Sequence, residues 1–157
     1  MKPLACPAPA RLRRGTRQRG TAIVEFGLIA GVFFTLLIGI AEFSRLLYYW
    51  NTAAEVTRLG ARMAVVCDAQ DAVIKTRMRS MLPVLQNSNI SLSYEPAGCD
   101  ADAATARASC QTVTVSVANV AVSTVIPMVP LRVAMPPFTT SLTRESMQTS
   151  TGGAICS

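Results

Sequence analysis

The sequence predicts an α+β protein with a long N-terminal transmembrane helix, a short second helix and a small antiparallel β-sheet. Three observations carry this reading. Residues 21–41 are apolar with Glu25 as the one charged interruption. The segment after them keeps helical spacing of small and apolar residues. Beyond about residue 90, apolar side chains alternate with hydroxyl-bearing ones, and Pro and Gly punctuate the runs. The 157 residues suffice for one modest domain beyond a membrane anchor.

Residues 1–20 read as a basic leader, rich in Pro and Arg, without periodicity and disordered. Lys2, Arg11, Arg13, Arg14, Arg17 and Arg19 account for the whole formal charge of +6, because the remaining nine basic residues match the nine acidic ones. Charge concentrated beside an apolar span argues for membrane orientation rather than nucleic-acid binding. Basic flanks stay on the cytoplasmic side, which places the N-terminus inside and the remainder outside.

Residues 21–41 supply the roughly 20 apolar residues that a helix needs to cross a bilayer core. The run is too long for the apolar region of a secretory signal peptide, and no convincing small-x-small cleavage site follows it. Glu25 is costly there, by about 2.5–3.5 kcal/mol for an acidic residue at mid-span. Gly27 and Gly31 form a GxxxG, and Gly39 adds a third small site. This spacing lets membrane helices approach closely, although glycine is common in such helices in any case. Glu42 and Arg45 are spaced to pair, and Tyr48, Tyr49 and Trp50 suit an interfacial aromatic belt. Ala53, Val56, Gly60 and Ala64 continue the helix to residue 66, with Glu55, Arg58 and Arg62 available for further pairs.

A second helix is expected from Asp71 to Met81 or Leu82. Asp68 or Asp71 would cap it, Ile74, Met78, Met81, Leu82 and Leu85 would form its apolar stripe, and Pro83 would end it. Strands are expected where Ile90, Leu92 and Tyr94 alternate with polar residues, and again at Val113, Val115 and Val117. Asn119 breaks the phase, which Val120 and Val122 resume one residue late. Pro127, Pro130, Pro136 and Pro137 mark a loop region. A last strand is expected from about Phe138 to Ser146, with Phe138, Thr140 and Leu142 on one face, followed by a flexible tail at Thr149–Gly153.

The chain has no histidine, which removes Ser-His-Asp and Cys-His triads and His-containing metal sites. We therefore expect neither an enzyme nor a cofactor or metal. Cys6 lies in the leader. Cys67, Cys99, Cys110 and Cys156 lie on the expected outer side, where disulfides persist. Four cysteines allow three connectivities, which sequence alone does not choose between. The ten residues between Cys99 and Cys110 form a polar loop suited to one bridge, which leaves Cys67 and Cys156 for the other. Zinc is disfavoured because no CxxC pair occurs. Asp100 and Asp102 are a weak calcium motif, and a solvated loop closed by Cys99 and Cys110 is the better reading.

Gly20 followed by Thr21-Ala22-Ile23-Val24-Glu25-Phe26 resembles the processing site of type IV pilin-like proteins. With Gly39-Ile40-Ala41-Glu42-Phe43, Arg45, Thr57-Arg58-Leu59-Gly60-Ala61-Arg62-Met63-Ala64 and a closing strand with Arg144-Glu145-Ser146-Met147, it resembles TadE-like proteins of the tight-adherence (Flp, type IVc) pilus system. The resemblance is strong over residues 19–64 and extends to the rest only in layout. It implies a pilin-like fold and a small pseudopilin, a minor component or assembly factor of an adhesive pilus. Its implied partners are a prepilin peptidase, other pilins and pseudopilins, and the inner-membrane assembly platform. In this family the peptidase cuts after the glycine, here between Gly20 and Thr21, and Glu25 becomes the fifth residue of the mature chain. Glu25, beside Phe26, would then neutralise the new amino terminus of a neighbouring subunit.

The implied organisation is a removed leader at 1–20, a transmembrane helix with its outward extension at 21–66, and a small periplasmic α+β domain at 67–157. The protein would be single-pass in a bacterial inner membrane or reside in the extracellular pilus. Thr21 departs from the aromatic residue that many type IV pilins carry there. Two alternatives stay open: a pseudopilin of a type II secretion system, and a permanently membrane-anchored envelope protein with a binding head.

Overall fold

A computed structural model describes residues 19–126 and 130–156. The leader up to residue 18, Cys6 and Pro127 lie outside the described residues. The fold is α+β, with three α-helices and small antiparallel sheets among the described residues. The chain divides into two compact units, one ending at Gly39 and one beginning at Ile40.

Helix α1 runs from Arg19 to Val66. In the first unit its residues are almost all exposed, including Ile23, Phe26, Leu28, Ile29 and Phe34. In the second unit the same helix becomes a core element. Ala53, Val56, Ala61, Met63, Ala64 and Val65 are buried together with Ile74 and Met78 of α2 (Ala72–Met81) and with Leu82 and Leu85 beyond it. Thr57 is also buried, and its hydroxyl is satisfied by donating to the Ala53 carbonyl at 2.7 Å. Gly60 leaves room for α2 to pack closely: a Cβ built there would lie 2.6 Å from the sulfur of buried Met78. Asp71 caps α2 by accepting from the Val73 amide at 3.0 Å. Met81 does not join the stripe expected of it. It is 44% exposed, because the helix ends there and Leu82 turns inward instead.

The main sheet has the order β1-β2-β5, formed by Ile90–Glu95, Thr112–Val117 and Phe138–Thr143, all antiparallel. Its register aligns the apolar positions in rows. Val113 sits between Tyr94 and Leu142, Val115 between Leu92 and Thr140, and Val117 between Ile90 and Phe138. These rows supply the inner face, and the intervening Ser and Thr residues supply the outer one, as period-two alternation requires. On the outer face Thr114 and Ser141 hydroxyls lie 2.8 Å apart. Asn119 takes a left-handed conformation (φ 57°) where the chain leaves β2, the break in phase seen in the sequence.

Four further features differ from the sequence reading in this part of the chain. The Pro-punctuated region contains a strand: β4 (Arg132–Ala134) pairs with β3 (Ala121–Ser123) in a separate two-stranded sheet. At three residues between prolines, it is too short to show a period. The loop between Cys99 and Cys110 contains α3 (Ala103–Ser109), capped by Asp102 through the Ala104 and Thr105 amides. Its alanines are strong helix formers, a signal the acidic neighbours masked. Strand β5 stops at Thr143, short of Ser146, because the chain turns away to cap α1. The Glu145 and Met147 amides both donate to the Val65 carbonyl, and the Gln148 amide donates to Val66. The helix's last carbonyls, which lack partners within it, are satisfied in this way. The tail expected to be flexible is pinned: Thr149 accepts from the Asp68 amide and donates to the Asp71 carboxylate, each at 3.0 Å.

Candidate functional site: the N-terminal helix and its exit from the apolar span

In the first unit Gly20, Thr21, Glu25 and Phe26 lie in the opening turns of α1, and all four are exposed. The surface they begin is apolar up to Ala41. An apolar helix of this length is matched to a bilayer core, and the span has a mean hydropathy of 2.4 over its most apolar window. The one hydroxyl in its middle, Thr35, donates to the Gly31 carbonyl at 2.8 Å and so needs no water. Gly27 and Gly31 line a shallow groove with Leu28, Val32, Thr35 and Leu36. A Cβ at Gly20, Gly27, Gly31 or Gly39 would meet nothing within 4 Å, in contrast to Gly60. No contact among the described residues therefore requires glycine at these four positions.

Glu42 and Arg45 form the first charged pair after the apolar run, 3.0 Å apart. Sequence spacing identifies the pair but not what it holds. The other Glu42 oxygen accepts the Val125 amide at 2.7 Å, and the Arg45 guanidinium donates to the Ser123 carbonyl. The pair thereby fastens the end of β3 to α1. A separation of 78–83 positions along the chain leaves no periodic signal for such contacts.

The three expected interface aromatics divide. Tyr48 is 62% exposed, as a belt residue would be. Tyr49 and Trp50 instead pack against the core of the second unit, and the Trp50 indole N–H is buried without a hydrogen-bond partner among the described residues. The helix continues into a folded domain at this point, so only one side of the aromatic cluster faces outward.

The carboxylates considered for calcium are otherwise engaged. Asp102 caps α3, and this holds its carboxyl below the ordinary range: the Thr105 amide and hydroxyl contribute most, then the Ala104 amide and Arg107. Asp100 accepts from the Gln70 side chain at 3.1 Å. Among the described residues, no group of three or more His, Cys, Asp or Glu side chains is placed to hold a metal. Cys67 is bridged to Cys156 and Cys99 to Cys110, with Cα separations of 5.6 Å and 5.2 Å. The first bridge joins the end of α1 to the tail, and the second closes the segment containing α3.

The family comparison falls on the helix just described. Residues 20–62 match the family model of TadE-like proteins. Over this stretch the chain is similar to TadE-like proteins. The match associates the protein with the tight-adherence pilus system. Neither a curated protein nor a solved structure matches the chain significantly. The TadE-like segment contains Gly20, Glu25, the glycine groove, the Glu42–Arg45 pair and Gly60, and it ends before the sheet begins.

Proposed function

We propose that this TadE-like protein is a minor pseudopilin or assembly component of an adhesive type IVc pilus, with a structural rather than a catalytic role. A prepilin peptidase at the cytoplasmic face of the bacterial inner membrane removes residues 1–20. The mature chain then crosses the membrane once, with its α+β domain in the periplasm, and engages other pilins and the inner-membrane assembly platform. One observation carries this reading: an uninterrupted, outward-facing apolar helix whose single carboxylate, Glu25, lies five residues after Gly20. A charge in that position is tolerated in an apolar bundle when a partner neutralises it, and cleavage after Gly20 creates such a partner in the α-amino group at Thr21. The open backbone at Gly27 and Gly31 supports close approach of a second helix.

The test is complementation of a deletion strain with the wild-type gene or with Glu25→Ala, followed by counting surface pili by electron microscopy. Glu25→Ala is expected to insert as well as the wild type, since a costly carboxylate is removed, yet to fail in assembly. Normal pilus numbers with Glu25→Ala would remove the role assigned to this residue. Normal numbers in the uncomplemented deletion strain would remove the pilus function.

A further inference from the structure

The three-stranded sheet ends in two edges, β1 and β5. In an antiparallel ladder, hydrogen-bonded pairs alternate with unbonded ones. The Ala118 amide donates to the Asn89 carbonyl and the Arg144 amide to the Gln111 carbonyl, so the alternation fixes which backbone groups face β2. On β1 the amides of Leu92 and Tyr94 face outward, and on β5 those of Thr139, Ser141 and Thr143. Among the described residues, none of these five amides has a partner. Edge strands are ordinarily protected from pairing by charged side chains, bulges or proline. From Phe138 to Thr143, β5 has no charge, no proline and an unbroken register with β2.

Two charges identify the strand that fits this edge. Glu95 ends β1 and Arg144 follows β5, at the same end of the sheet. Neither side chain is paired among the described residues, and within one chain β2 stands between them. If β1 of a second copy lies parallel against β5, Glu95 of that copy comes onto the neighbouring strand, about 4.8 Å away. It then sits opposite Thr143 and one position from Arg144. The same register sets Ile90 beside Phe138 and Tyr94 beside Leu142 on the inner face, and Ser93 beside Ser141 on the outer one. Two β5 strands paired antiparallel about Thr140 would instead set Arg144 against Pro136 and leave both charges unmatched.

We propose that β5 of one copy pairs with β1 of the next, in parallel, so that Arg144 meets Glu95 and the two sheets join edge to edge. The contact uses a different edge of each copy, so it repeats along a row of like-oriented copies rather than closing as a two-fold dimer. It lies wholly within the second unit and calls on neither cleavage after Gly20 nor a membrane span.

Disulfide cross-linking of the full chain tests this. Ser93→Cys and Ser141→Cys are made together, and the protein is mildly oxidised. Within one chain these positions lie two strands apart, about 9.6 Å, beyond the reach of a disulfide, so a bridge between them joins two copies. A ladder of dimers and larger species is expected, with peptide mapping linking positions 93 and 141. Either change alone should give no ladder, nor should Ser141→Cys combined with Thr76→Cys on the exposed side of α2. In the double variant, adding Glu95→Arg should lower the linked fraction about two- to fivefold, and adding Arg144→Glu as well should restore it. Thr139→Pro removes an outward amide and none that faces β2; it should abolish the ladder while the two native bridges persist. Linkage by Ser141→Cys alone would mean that β5 pairs with itself, which overturns the proposal. No ladder in the double variant, or equal linkage through Thr76→Cys, would overturn it too. Should the added thiols disturb the native bridges, the charge exchange is read in the otherwise native chain by sedimentation velocity in detergent. Larger species lost with Glu95→Arg and regained with Arg144→Glu support the contact, and sedimentation unmoved by either change overturns it.

Discussion

Glu42 and Val125 are 83 positions apart, yet the carboxylate of one accepts the backbone amide of the other at 2.7 Å. Glu42 also holds Arg45, whose guanidinium reaches the Ser123 carbonyl. A charged pair that spacing alone would assign to the helix surface is thus a fastener between the helix and the smaller sheet.

Removing the Glu42 carboxylate should release that fastener. A hydrogen bond to a charged group contributes about 1.5–3 kcal/mol, and partial exposure of the pair reduces this, so Glu42→Ala should destabilise the outer domain by about 1 kcal/mol. The local effect should be larger than the global one. Hydrogen exchange at the Val125 amide should approach the rate of an open loop, while amides of β2 keep their protection. Unchanged exchange at Val125 would show that the bond does not hold the hairpin.

The two disulfides should differ in worth. In the chain-entropy model, closing the 89-residue separation of Cys67–Cys156 contributes about 4–5 kcal/mol, and the 11-residue separation of Cys99–Cys110 about 3 kcal/mol. Cys156→Ser paired with Cys67→Ser should therefore lower the denaturation midpoint more than the Cys99→Ser, Cys110→Ser pair. It should also free the tail that Thr149 pins. The reverse order in urea melts of the two double variants, or free thiols at all four positions in protein from the oxidising compartment, would contradict this.

How far the sequence reveals this fold follows from the range of each interaction. The strands around Ile90, Val113 and Phe138 are legible because burial of one face imposes a period of two. Helix α2 is legible because Asp71 caps an apolar stripe. Helix α3 is less so, since a seven-residue alanine-rich turn between cysteines carries little periodicity. Strand β4 and the early end of β5 are not legible, because each is decided by a distant partner: β3 in one case, the Val65 and Val66 carbonyls in the other. In the candidate site, Glu25 stands out by its chemistry in an apolar run. The inward packing of Trp50 and the reach of Glu42 to Val125 depend on segments far along the chain, and no local pattern encodes them.

Alkaline pH should weaken the fold through Tyr94. Burial pushes its hydroxyl above the usual value, the Gln70 amide that donates to it pulls the other way, and Asp100 and Asp71 add to the rise. A pKa raised in the folded state means that the unfolded chain loses its proton first. This contribution is complete below the unfolded value of about 10 and is lost as pH climbs through the folded one. Urea midpoints should hold up to about pH 9 and fall above about pH 10, and Tyr94→Phe should flatten that fall while costing about 1 kcal/mol at neutral pH for the lost bond from Gln70. An identical alkaline slope in Tyr94→Phe would assign the loss to another group.

The central claim is that Gly20 marks a processing site rather than a chance glycine before a membrane span. Intact-mass spectrometry of the protein extracted from membranes of its natural host, with the prepilin peptidase active, tests it most directly. The expected mature chain begins at Thr21, with Glu25 as its fifth residue. Recovery of the chain with its basic leader still attached would contradict it.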